Sequence, residues 1–235
     1  MKNLKNIAIA SVLILSGAVS ASAQEKIEGT ISADVVSQYI WRGQDFGDVS
    51  FQPTLGLSYE GLSLTAWGSI GLSNEADATE FDLTLAYAVG GFNVGITDYW
   101  TNTGAKYFQY ESHKTNHVYE ANVGYDFGPV SIQWYTNFAG ADGTDKDGCR
   151  AYSSYVEFGA PFKLAGFDWE AALGIVPYQT SFYADADGFA VTNVSVKATY
   201  TINITPSFSL PVFASIATNP SSEDAAFVFG FTLRP

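Results

Sequence analysis

Hydrophobic and polar residues alternate along this chain in segments of about ten, and the alternation keeps its phase within each segment. In the clearest one, Phe51, Pro53, Leu55, Leu57 and Tyr59 share one face and Gln52, Thr54, Gly56, Ser58 and Glu60 the other. The same pattern sets Phe81, Leu83, Leu85 and Tyr87 against Glu80, Asp82, Thr84 and Ala86. Tyr119, Ala121, Val123 and Tyr125 oppose Glu120, Asn122, Gly124 and Asp126, and Phe167, Trp169, Ala171 and Leu173 oppose Asp168, Glu170, Ala172 and Gly174. Val194, Val196, Ala198 and Tyr200 oppose Ser195, Lys197 and Thr199. A period of two is that of a strand with unlike faces, and a one-residue slip would turn the carboxylates onto the apolar face. Further segments near 31–42, 62–72, 91–100, 129–138, 150–160, 206–217 and 224–233 bring the expected count to about twelve.

The joints between segments alternate in length. Glu60-Gly61, Gly90-Gly91, Gly128-Pro129, Pro161 to Gly166 and Asn203 to Pro206 are tight. Between them lie longer polar stretches: Gly43 to Asp48, Ser73 to Thr79, Thr101 to Asn116, Ala139 to Cys149, Pro177 to Gly188 and Thr218 to Asp224. A soluble sandwich gives no reason for every second turn to be short. An all-β, antiparallel, up-and-down transmembrane β-barrel does, with periplasmic turns on one rim and external loops on the other. An even strand count then puts both termini on the short-turn rim.

Aromatic residues gather near strand ends. Tyr39, Trp41, Phe51, Phe81, Tyr119, Phe138 and Tyr152 fall toward the long loops, and Tyr59, Tyr87, Phe92, Phe127, Phe158, Phe167, Trp169 and Phe208 toward the short turns. Two belts suit the two interfaces of a membrane, whereas one soluble core would collect aromatics at mid-strand.

Composition agrees. The chain is 47% hydrophobic and 15% aromatic but only 15% charged, below the roughly 25% of soluble domains. The start reads as a secretory signal over residues 1–23. Lys2 and Lys5 precede an apolar run from Ile7 to Leu15, and Ala21-Ser22-Ala23 forms a cleavage site, so the expected barrel domain is 24–235. No Cys sits at that cleavage point, which argues against a lipid anchor. Without the signal, nine basic residues face 24 acidic ones. That balance excludes nucleic acid as a partner and favours cations, or cation-bridged anionic lipid headgroups.

Ser37-Gln38-Tyr39-Ile40-Trp41-Arg42-Gly43, followed by Phe51-Gln52-Pro53-Thr54-Leu55, resembles the opening strands of the TorF-like porins. The likeness continues through Leu64-Thr65-Ala66-Trp67-Gly68-Ser69 and Glu80-Phe81-Asp82-Leu83, about a third of the expected mature chain. It implies an outer-membrane barrel with a channel role and supplies no catalytic residues. The ending Phe231-Thr232-Leu233-Arg234-Pro235 departs from the terminal aromatic that many such barrels carry.

The candidate pore-lining residues are Asp34, Arg42, Glu60, Glu80, Asp82, Glu120, Asp126, Glu157, Asp168, Glu170 and Lys197. An excess of lumen carboxylates favours cations. Arg42 either steers anionic solutes at the pore mouth or pairs with a carboxylate and fixes the loop; the excess of acids favours pairing. Gly56, Gly124, Gly174 and Ala172 on the polar faces leave room and suggest an open path.

Asp142, Asp145 and Asp147-Gly148 hint at a loop-bound divalent cation but lack the ligand order of a calcium loop. His113 and His117 raise the idea of a barrel-surface hydrolase, and no Ser-His-Asn spacing accompanies them. No cofactor and no enzymatic activity are expected. The expectation is a porin-like outer-membrane channel for passive diffusion of small polar solutes, cation-preferring from its charge, with outer-membrane lipid as its surroundings. The alternatives are a non-conducting structural or adhesive barrel that binds a surface partner through acidic loops, and a secreted soluble β-sandwich.

Overall fold

The computed structural model describes residues 27–74, 77–183 and 187–234; the segment read as a signal lies outside the described residues. The strands are β1 (Glu28–Val36), β2 (Tyr39–Trp41), β3 (Gln44–Gly47), β4 (Ser50–Tyr59), β5 (Leu62–Gly71), β6 (Glu80–Val89), β7 (Phe92–Thr101), β8 (His117–Asp126), β9 (Ser131–Gly140), β10 (Ser154–Leu164), β11 (Phe167–Val176), β12 (Ala190–Thr205), β13 (Phe208–Asn219) and β14 (Asp224–Leu233). Twelve of them, β1 and β4 to β14, form one closed antiparallel barrel. β1 closes it by pairing with both β4 and β14, so no barrel strand is left with a bare edge.

The two faces separate as the alternation requires. Gln52 and Thr54 are 8% and 9% exposed, whereas Leu55 on the opposite face is 57% exposed and Ile216 on the outer face of β13 is 51%. Leu57, Leu64, Leu85, Ile96, Val123, Val194 and Phe229 likewise stand exposed. An apolar surface that encircles the molecule over a polar interior is the inverse of a soluble fold and is suited to lipid. Tyr59, Tyr87, Phe92, Phe127 and Phe167 stand exposed around the short-turn rim.

Local chemistry makes the tight turns. Glu60 and Gly61 have φ of 47° and 85°, and Ala165 and Gly166 have 53° and 83°. Two successive positive φ values match the right-handed strand twist. The turn after β10 is thus Ala165-Gly166, and Pro161 belongs to the strand. At the other rim the last connector, residues 220–223, is shorter than the expected Thr218 to Asp224 loop, because β13 continues to Asn219.

The first strand departs most from expectation. The segment read as one strand over 31–42 ends at Val36. Ser37 makes the last tie to β14, its amide donating to the Phe229 carbonyl at 2.9 Å and its hydroxyl accepting from the Phe229 amide at 3.0 Å. The chain then turns inward as the separate β2–β3 hairpin. Tyr39 and Trp41 therefore leave the expected outer belt and pack among lumen residues. Alternation continued past Val36 because a hairpin strand has the same period, so periodicity could not register the exit.

Candidate functional site

The hairpin turns on Arg42 and Gly43, with φ of 51° and 80°. The same turn chemistry that joins barrel strands here makes a finger that projects from the β1–β4 side. It crosses to the opposite wall: a Cβ at Gly43 would overlap the Thr192 carbonyl on β12, and the Arg42 guanidinium lies 3.9 Å from the Tyr135 ring of β9 and 4.8 Å from the Tyr155 ring of β10. The sheet order β1-β14-β13-β12-β11-β10-β9-β8-β7-β6-β5-β4 puts β9 and β10 diametrically opposite the seam from which the hairpin leaves. A positive φ at a non-glycine residue is costly and is held here by the contacts of the side chain.

Those contacts are dense. Arg42 Nη1 donates to Glu120 Oε2 at 2.5 Å and Nη2 donates to Oε1 at 2.9 Å, a two-pronged pair with the β8 carboxylate. Nη1 also donates to the Tyr183 hydroxyl at 2.6 Å, and that hydroxyl donates to Glu120 Oε2 at 2.9 Å. Tyr99 on β7 donates to Glu120 Oε1 at 2.8 Å. Trp41 covers the guanidinium from its own strand at 4.3 Å and touches Tyr99, Phe182 and Tyr183. Arg42 and Glu120 side chains are 4% and 2% exposed. Burial works against the guanidinium charge, but Glu120 outweighs it and the Arg42 pKa stands well above its ordinary value. Burial likewise pushes the Tyr183 phenol well above its usual value, so it keeps the proton it donates.

At the hairpin base, Tyr39 stacks near Phe46 and Trp67, and Glu80 and Asp82 on β6 are buried beneath it at 8% exposure each. The hairpin thus has partners on every strand from β5 to β10. Beside them remains a cavity of about 390 Å³, bordered by the hairpin and by β1, β4 and β10 to β14. Its charged residues are Asp34, Arg42, Glu157, Glu170 and Lys197, with Asn193, Ser195 and Ser215 among the polar remainder. Glu170 and Lys197 pair at 3.0 Å, both about one-third exposed, and Tyr155 donates to Glu157 at 2.9 Å. A larger apolar concavity of about 860 Å³ lies over β9 to β13, and its lining of Ile132, Phe158, Leu173, Val194 and Ile216 makes it part of the outer surface.

The eleven candidate lumen residues thus separate into three groups. Glu80, Asp82 and Glu120 are sealed around the hairpin together with Arg42, which also touches the edge of the cavity. Asp34, Glu157, Glu170 and Lys197 border the cavity. Glu60, Asp126 and Asp168 lie at the short-turn rim: Glu60 is exposed in its turn, Asp126 accepts the Gly128 amide at 2.7 Å, and Asp168 pairs with Lys163 in the open. Strand phase assigned a face to these three but could not tell lumen from rim, because face and depth are independent coordinates.

Two lumen-facing glycines also serve differently from the expected widening of the path. A Cβ at Gly124 would overlap the Gln133 side chain, and one at Gly174 would overlap the Tyr155 hydroxyl. They make room for neighbouring side chains, and that room is filled.

The aromatic cage of Arg42 was missed from sequence, although Tyr99, Tyr135 and Tyr155 occupy the polar phase of their strands. An aromatic in that phase near the outer strand end was the available signal. In the loops, the Asp142 carboxylate accepts from Asn137 Nδ2 and the Ser153 amide, and Asp145 accepts from the Asp147 and Cys149 amides. These acids brace their own loop. Both ring nitrogens of His117 are engaged, by Asp98 and by the Tyr107 carbonyl.

No protein-family model and no curated protein sequence matches the chain. Among solved structures, the chain is similar to the NanC porin, with 10% identity over 87% of this chain and 98% of that one and a TM-score of 0.48. It is similar to OccK9 (OpdG) of Pseudomonas aeruginosa, with 16% identity over 88% and 58% of the two chains and a TM-score of 0.35. A third is OmpF of Salmonella typhi in complex with daunomycin, with 10% identity over 90% and 98% and a TM-score of 0.36. The barrel architecture itself stands on the strand pairing of this chain.

Proposed function

We propose that this protein is an outer-membrane channel for passive diffusion of small polar solutes, with a preference for cations and with the β2–β3 hairpin as its constriction. The observation that carries the reading is the polar cavity beside the hairpin, inside a barrel whose outer wall is apolar. Asp34, Glu157 and Glu170 border it with Lys197 and Arg42, and the Arg42 charge is matched by Glu120. Counting Glu120, four acids meet two bases, and in a low-dielectric passage that sign raises the local cation concentration. No covalent step belongs to this function. The motif Ser37 to Gly43 and its resemblance to TorF-like porins support the same reading, as does the short-turn rim that would face the periplasm.

A non-conducting barrel is the second reading, and the observation in its favour is the hairpin itself, which spans the lumen. Its acidic loops would then bind a surface partner. Planar-bilayer recording of the purified, detergent-folded protein separates the two. Discrete conductance steps with a cation-shifted reversal potential in a low-salt gradient support the channel. Silence from both the full protein and a variant lacking residues 39–47 sinks it. Recovery from the soluble periplasm without detergent would remove the membrane barrel altogether.

A further inference from the structure

The connector between β7 and β8, residues 102–116, ends against the outside of the barrel, where the Tyr107 ring packs on Phe81 and Trp100 and the His117 side chain adds a hydrogen-bonded tie. His117 is 0% exposed although it opens β8 on the face of Tyr119 and Val123. Its Nδ1 lies 2.7 Å from Asp98 Oδ1 on β7, and its Nε2 lies 2.6 Å from the backbone carbonyl of Tyr107 in the connector. Tyr107 and Tyr110 close over the ring with centroids at 5.1 and 4.6 Å, and Tyr119 stacks at 6.0 Å.

The proton count of this arrangement is set by its acceptors. A carbonyl oxygen only accepts, so Nε2 must carry a hydrogen. The Nδ1–Asp98 contact needs a second hydrogen, on the ring or on the carboxyl. The pair therefore holds two protons when both contacts are made. With one proton fewer, a lone pair on the ring faces an oxygen at one of the two contacts. The charge-assisted bond to Asp98 is the stronger, so the proton stays there and the bond to Tyr107 is lost. The titratable groups facing the ring are Asp98 from β7, Tyr107 and Tyr110 from the connector and Tyr119 from β8. The end of β9 and the residue after it meet His117 through backbone, with the Ala141 amide donating to its carbonyl and Gly140 packed beside it.

We propose that Asp98, His117 and the Tyr107 carbonyl form a pH-sensitive clasp that holds the 102–116 connector against the barrel at acidic pH and releases it as pH rises. The sign follows from the count: the closed form binds one proton more than the open form, so protons favour closure. His113, four residues earlier and exposed, takes no part.

The test is hydrogen–deuterium exchange of residues 102–116 in the detergent-folded protein, corrected for the intrinsic pH dependence of amide exchange. The pH series should run in small steps from acidic to alkaline conditions. Protection of this connector should fall about tenfold or more as pH rises, the size expected for one lost hydrogen bond to a charged group. Asp98→Asn is the discriminating variant. Its amide can donate to Nδ1 of a neutral ring whose Nε2–H still reaches Tyr107, so the clasp should stay closed across the series. Strand exchange in β7 and β8 reports whether the barrel is intact. Protection that is flat in the unmodified protein, or a D98N profile that follows the unmodified one, overturns the proposal.

Discussion

Arg42 and Glu120 are 78 residues apart in sequence and meet through two hydrogen bonds of 2.5 and 2.9 Å inside the barrel. One comes from the tip of an inward hairpin and the other from the lumen wall, so the pair pins the hairpin across the passage. The pair is dry, and the energetics of such a pair lie mostly in what happens when one member is removed.

Arg42→Met leaves Glu120 as a buried charge without its cation, a change that typically costs about 3–5 kcal/mol. The protein has two ways to relieve it, lower stability or withdrawal of the hairpin to let water in. Thermal unfolding of the folded barrel should show the first and larger, noisier conductance steps the second. Adding Glu120→Gln to the same protein should recover most of the loss, and a double-mutant cycle measures the coupling.

Gly43→Ala tests the reach of the hairpin separately from its charge. The residue has φ of 80° and its Cβ would enter the Thr192 carbonyl, a backbone atom that cannot swing aside. Docking should weaken by about 1–3 kcal/mol. Faster amide exchange over residues 39–47, with the barrel strands unchanged, is the expected signature.

Charge selectivity should follow the cavity and not the full set of acids. Asp34→Asn, Glu157→Gln and Glu170→Gln together should bring the reversal potential toward that of an unselective pore. Glu60→Gln and Asp168→Asn, at the rim, should leave it nearly unchanged. Equal effects from both sets would show that selectivity arises from overall charge and that the cavity is not the path.

Lys197→Met gives the opposite sign. Its partner Glu170 is left without its cation, so cation preference should increase. The two side chains are 35% and 32% exposed, and a pair this wet contributes about 0–1 kcal/mol, so the melting temperature should scarcely move. Bilayer recording and a melting curve on the same preparation check both halves.

Alternation and turn chemistry carry information over a few residues, and most of this fold is written at that range. The faces of the cleanly alternating strands, the tight joint at Glu60-Gly61, the strand count and the lumen phase of Asp82, Glu120, Glu157 and Glu170 all follow from turn chemistry and from side chains that alternate by necessity. Where Gly43 points was not decided at that range. Its turn signal is the same whether the hairpin continues the wall or crosses the lumen, and the choice rests on surfaces from β7 to β12 that exist only once the barrel has closed. The same holds for the partner of Arg42, for the filled spaces at Gly124 and Gly174, and for His117, whose two acceptors come from β7 and a distant part of its own connector. The sequence by itself determined which residues of the alternating barrel strands face inward. Tertiary structure decided how deep each one sits and what fills the space before it, because depth and occupancy depend on contacts between strands far apart in the chain.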